Sequence, residues 1–201
     1  MQELDRKLDD ISEIRAMMER SAKFLSLSGL SGIGAGCVAL IGSLVAWYFM
    51  ADRGGYAPND PAIQQFLVID AGAILVLALI TSLFFTRRMA LRKGLPVWNK
   101  TGRYLLAALA VPIGTGALVS IILSMQHLFA YAVPATLIFY GLGLTDGSKF
   151  TVREIWYLGV AEILLGVFGM LMPLLAPWLW AAGFGVLHIV YGVVMYFRYE
   201  R

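Results

Sequence analysis

With 201 residues, 59 % of them hydrophobic and 14 % charged, the chain is long enough for one domain and too poor in charge to coat a water-soluble one. The apolar and aromatic content excludes intrinsic disorder, and the lone Cys37 excludes an internal disulfide scaffold. What these exclusions leave is an all-α membrane protein: a polytopic bundle of six transmembrane helices, residues 25–201, preceded by a cytoplasmic amphipathic helix, residues 1–24.

Through the first 24 residues and into the first apolar run, Leu4, Leu8, Ile11, Met18 and Leu25 recur at helical spacing, with Ile14 beside them. Glu3 with Lys7 and Glu19 with Lys23 form favourable pairs four residues apart. Six acidic residues on the polar face argue against lying flat on an anionic leaflet. The apolar stripe therefore calls for protein. It serves either as a docking element within the same assembly or as the contact for a cytoplasmic partner or a second copy. Arg15 on the seam argues against a long coiled coil.

From Phe24 onward apolar runs alternate with short polar connections. About 20 residues are needed to span a bilayer, and six runs qualify: Leu25–Met50, Ala62–Thr86, Tyr104–Met125, His127–Leu144, Ile155–Leu175 and Trp178–Phe197. In lipid such runs must be helices, because each segment has to satisfy its own backbone hydrogen bonds. The first run starts too late and runs too long for a cleaved signal peptide. With both termini cytoplasmic, fifteen of the sixteen Lys and Arg residues fall on the cytoplasmic side, and only Arg53 falls outside. This asymmetry predicts a multi-pass membrane protein with both termini in the cytoplasm and accounts for the net charge of +3 without nucleic acid. Membrane lipids are the expected partners, with Arg87, Arg88, Arg92 and Lys93 placed to meet anionic headgroups.

Glycines cluster inside the spans, where small residues let helix backbones approach closely. Gly32 and Gly36 make a GxxxG pair, read here as intramolecular packing, and Pro112 and Pro134 predict kinks in the third and fourth spans.

Three ionisable residues fall inside the predicted hydrocarbon layer: Asp70, Glu162 and His188. Such placement costs about 2.5–3.5 kcal/mol for an acid at a helix centre, so these side chains should face partners or water. Counted from a turn centred on Leu175, Glu162 and His188 stand thirteen residues away on either side, which puts them at equal depth in an antiparallel hairpin. Tyr140 and Tyr191 are further contributors of hydroxyls, and His127 lies at the outer mouth. Two readings stay open at this level: an interhelical hydrogen bond with a structural role, or a polar site that binds or relays a proton or small cation. The ligands fall short of a metal set, and no cofactor is expected.

No GxSxG, HExxH, P-loop or CxxC occurs, so catalysis is not expected. The acid-rich N-terminal helix and the basic central loop point to a non-enzymatic sensor, adaptor or assembly component. The alternative is a small transporter or channel running past Asp70, Glu162 and His188. The last hairpin, Leu158-Gly-Val-Ala-Glu-Ile-Leu-Leu-Gly-Val-Phe-Gly-Met-Leu-Met-Pro173 with Gly183-Phe-Gly-Val-Leu-His-Ile-Val-Tyr-Gly192, resembles one unit of the acid-resistance family of hairpin-repeat membrane proteins. That resemblance implies tandem two-helix units with glycines spaced along each helix. It covers about a fifth of the chain, and Gly34 and Gly42 carry the pattern loosely in the first hairpin. The chain as a whole resembles small multi-pass bacterial inner-membrane proteins, which implies a location and no activity.

Overall fold

The computed structural model describes residues 28–94 and 100–201. The amphipathic helix predicted for residues 1–24 lies outside the described residues. Within them the chain is all helix and turn: α1 Gly29–Asp52, α2 Pro61–Arg92, α3 Lys100–Met125, α4 Phe129–Gly147, α5 Glu154–Leu171 and α6 Pro173–Tyr199. Five of the six, all but α4, are long and apolar enough to cross a bilayer. At 19 residues, α4 is instead the most enclosed, with Ala132, Pro134, Ala135, Leu137, Gly141 and Leu144 all buried.

The helix ends follow from local chemistry. Asp60 caps α2, its carboxylate accepting from the Ala62 amide at 2.8 Å, and Pro61 supplies the first helical φ. Asp60→Ala is therefore expected to lower stability by about 1 kcal/mol, read as a drop in thermal midpoint of the detergent-solubilised protein. Gly54 (φ 87°) ends α1, with the Gly55 amide closing back onto the Met50 carbonyl at 2.8 Å. The same six-to-one closure ends α3, where Leu128 donates to Leu123 at 2.8 Å and His127 takes the left-handed position (φ 61°) that glycine ordinarily fills. For that reason the fourth helix starts at Phe129 rather than at His127. Beside the α1–α2 turn, Phe49 stacks on Phe66 at 3.9 Å over Met50 and Ile63. The Tyr56 hydroxyl is buried there without a hydrogen-bond partner among the described residues, and burial pushes its pKa up to about 12.

Lipid tails are as apolar as the helices, so side-chain burial supplies little drive for association, and close backbone contact takes its place. Two seams do this in the same way. Where α1 meets α6, a Cβ on Gly29 or Gly192 would fall within 3.0 Å of the carbonyl oxygen of the other. Where α4 meets α5, Gly141 and Gly159 stand in the same mutual relation. Ile33 flanks Gly192 as Ile163 flanks Gly141, and Ile189 lies against Gly36 as Ile138 lies against Gly166. A shared pattern underlies both seams: Gly29-x3-Ile33-x2-Gly36 in α1 matches Gly159-x3-Ile163-x2-Gly166 in α5, and Ile138-x2-Gly141 in α4 matches Ile189-x2-Gly192 in α6. Gly32 and Gly36, the GxxxG pair, both face α6. The related positions Ile69-x2-Gly72 in α2 and Ala107-x3-Val111-x2-Gly114 in α3 are exposed, and nothing lies within 4 Å of a Cβ built on either glycine.

α1 also packs on α2, where Gly34 receives Thr81 and Phe85 and Gly42 receives Ile74. α3 packs on α4 through Gly116, which receives Phe139, and through the Ser120 hydroxyl, which donates to the Ala132 carbonyl at 3.2 Å. The α5–α6 hairpin breaks at Met172 (φ −127°, ψ 68°), three residues before the predicted centre at Leu175, because Pro173 disfavours a helical residue ahead of it. Lastly, α6 is not uniform. After a 3₁₀ turn at Pro173–Leu175 and a short α-helical stretch at Ala176–Trp180, it widens to a π-helix over Ala181–Leu187 before resuming at His188–Tyr199.

Candidate functional site

α5, α6 and α4 bring three polar side chains together inside the bundle. Glu162 on α5 is 0 % exposed and His188 on α6 is 7 % exposed. His188 Nδ1 lies 3.0 Å from the Gly183 carbonyl oxygen and 3.4 Å from Glu162 Oε1, and its Nε2 lies 2.7 Å from the Tyr140 hydroxyl of α4. A carbonyl only accepts, so Nδ1 carries the proton and donates to Gly183. In a neutral ring Nε2 then accepts, and the Tyr140 O–H donates to it. The imidazole is thereby satisfied on both nitrogens. Glu162 is not: among the described residues neither carboxyl oxygen finds a hydrogen-bond partner, although both are shut away from solvent.

The π-helix makes this arrangement. Its widened turn places the Gly183 carbonyl five residues before His188 and within reach of the ring, and such turns recur at functional sites. It also takes up chain length on the α6 side, which offsets the early break at Met172 and leaves Glu162 and His188 side by side. Gly183 also makes room for the carboxyl, since a Cβ there would overlap Glu162 Oε2 and come within 2.7 Å of Leu137 Cδ2. Phe184 closes one side, with its ring 5.9 Å from His188 and 4.9 Å from Tyr140, and Trp180 lies tilted behind it at 4.7 Å.

The remaining predicted residues lie elsewhere. Asp70 sits in the α1–α2 seam, its Oδ1 3.5 Å from where a Gly42 Cβ would stand, so α1 separates it from α6. Tyr191 packs its ring toward Gly32 of α1, and its hydroxyl is buried without a hydrogen bond. His127 serves as the exposed left-handed residue of the α3–α4 turn. Arg87, Arg88 and Arg92 line a groove of about 630 Å³ with Phe84 and Leu91, and Lys93 ends α2.

Sequence reasoning missed two contributors. Gly183 carried a signal, because a glycine pair with Gly185 opens the stretch that becomes π-helical. Glu200 carried none. It follows α6, and its carboxylate accepts from the Gly29 amide and, at 3.3 Å, from the Ser28 hydroxyl, so it caps α1 at the point where the described chain begins. Beside it, Arg198 pairs with Glu154 at 2.6 Å, and the Tyr199 hydroxyl donates to the same carboxylate at 3.0 Å.

Chemically, the cluster offers one carboxyl, one imidazole and one phenol in a closed, aromatic-walled space. Comparison with protein-family models, with curated proteins and with solved structures returns no match to this chain.

Proposed function

We propose that this protein is a non-enzymatic sensor or adaptor of the bacterial inner membrane, a bundle of six crossings with both termini in the cytoplasm that reports through its N-terminal segment. One observation carries this reading: the Glu200 carboxylate caps α1 at Ser28 and Gly29. The segment preceding Ser28 holds the acid-rich amphipathic stripe. The helix ending at the cap holds His188. Any change in how α6 packs is therefore passed to the base of the N-terminal segment, where a cytoplasmic partner or a second copy docks.

The charge pattern supports the orientation, since α4 as a sixth crossing keeps all basic residues but Arg53 on one side. On that side Arg87, Arg88 and Arg92 flank Phe84 and Leu91, a groove suited to an anionic headgroup and its proximal acyl carbons. The transport reading needs Asp70 on one path with Glu162 and His188, and the intervening α1 weighs against it.

The test is deletion of residues 1–18 from the otherwise intact chain. The proposal expects loss of co-purifying cytoplasmic proteins or of the native oligomer size, with Glu200→Ala weakening the same association. An unchanged set of associated proteins together with an unchanged size ends it.

A further inference from the structure

Glu162 is fully buried, and neither of its oxygens accepts a hydrogen bond. A buried carboxylate in that condition has lost its hydration with nothing in return, which is among the costliest arrangements a protein interior can hold. The titratable groups that face it are few. His188 comes from α6 and Tyr140 from α4, with Tyr191 of α6 near Tyr140; α5 itself adds none at that depth. His188 is the nearest possible counter-cation, yet its Nδ1–H is directed to the Gly183 carbonyl and its Nε2 receives Tyr140. With its Nδ1–H committed to that carbonyl, the ring gives the carboxyl no hydrogen bond, whichever group donates between Nε2 and Tyr140.

We propose that Glu162, backed by His188 and Tyr140, is a one-proton binding site in the interior of the bundle, the carboxyl carrying a single exchangeable proton that keeps the cluster uncharged. A proton fits where a metal ion does not. A hard cation such as Na⁺ or Ca²⁺ needs about six oxygen donors, and the space beside Glu162 offers its own two oxygens. The Gly183 carbonyl is engaged by His188, and the Tyr140 hydroxyl is spent on Nε2. Among the described residues no group of three His, Cys, Asp or Glu side chains is placed to hold a metal.

Loss of the proton has a structural consequence. The new anion stands against Gly183 in the π-turn, with the carboxyl oxygen Oε2 too close to leave room for a Cβ. Three responses relieve it: protonation of His188 at Nε2, which reverses the hydrogen bond with Tyr140 and leaves the hydroxyl proton to find another acceptor; penetration of water; or separation of α5 from α6. Each alters α6, the helix that ends at the Glu200 cap. The proton site stands on its own geometry and does not depend on what docks at the N-terminal segment.

The test is infrared difference spectroscopy on the full chain in lipid vesicles, titrated in light and heavy water. The expected result is a carbonyl-stretch band of a protonated carboxylic acid at neutral pH that shifts on deuteration, is present in Asp70→Asn and is absent from Glu162→Gln. It should disappear with the slope of a single proton as pH rises. A second measurement needs no variant: a membrane-permeant carbodiimide, which reacts with protonated carboxyls, should label wild-type protein at Glu162. That labelling should fall about tenfold for each pH unit above the transition. The proposal is overturned if wild type shows neither band nor label at neutral pH, if the band survives in Glu162→Gln and vanishes in Asp70→Asn, or if sodium at fixed pH displaces the band.

Discussion

Gly192→Leu is expected to disrupt the bundle more than any other single substitution, with little or no folded protein recovered in mild detergent. At this position the obstacle is backbone: a Cβ would run into the Gly29 carbonyl and into the Ile33 amide. A flexible side chain gives way by rotating, but a helix backbone gives way only by moving the whole of α1 off α6. Overpacking a core with mobile neighbours costs about 1–3 kcal/mol; a backbone-lined seam with no such freedom should exceed the upper end of that range. Gly141→Leu should behave alike, since the α4–α5 seam has the same construction. The controls are built into the chain. Gly72→Leu and Gly114→Leu occupy related sequence positions and meet open space, so both should stay within about 0.5 kcal/mol of wild type. Thermal midpoints from scanning fluorimetry decide the matter. Equal losses at Gly192 and Gly114 would falsify the account of the seams.

The second large effect is expected at His188. His188→Ala removes the acceptor for the Tyr140 hydroxyl, the side-chain donor to the Gly183 carbonyl and the ring stacked on Phe184. It leaves a cavity, and with it a buried hydroxyl that has lost its partner. A buried polar group left unsatisfied costs about 1–3 kcal/mol, and a large-to-small change in a core adds about 2–5 kcal/mol. A total destabilisation of about 4 kcal/mol follows, although partial collapse of the aromatic wall reduces it. The two contributions separate in a double-mutant cycle. Tyr140→Phe alone should cost about 1 kcal/mol, and in the His188→Ala background it should cost close to nothing, because the hydroxyl no longer has a bond to lose. Additive losses would mean that the 2.7 Å contact contributes no coupling energy.

Much of the architecture was legible from residue types alone. A bilayer demands about 20 apolar residues per crossing and tolerates charge at its ends, so runs such as Ala62–Thr86 and Tyr104–Met125 fall within helices α2 and α3 as observed. The turn between α1 and α2 rests on equally local chemistry, the left-handed Gly54 and Gly55 and the Asp60-Pro61 cap. The ends that moved did so for reasons a periodicity count does not contain. His127 adopts a conformation that side chains other than glycine rarely take, which shifts the start of α4, and Pro173 acts on the residue before it, which moves the hairpin break to Met172.

The polar site was legible only as a depth. Equal spacing from a turn says that Glu162 and His188 share a level; it does not say that their side chains share a face. That was decided by the π-helical stretch of α6, which rotates His188 and brings the Gly183 carbonyl to its ring, and by α4, which carries Tyr140 in from a separate hairpin. Asp70 shows the converse: alike in chemistry, it belongs to the α1–α2 seam because α1 stands between it and α6. Hydropathy and charge are properties of single residues summed along the chain, so the sequence by itself determined the solvent this protein lives in and the sites of most turns. Which carboxyl is left without a partner depends on the angular position of each helix about its own axis. Glycine contacts between distant segments set those angles, and only the assembled helices decide them.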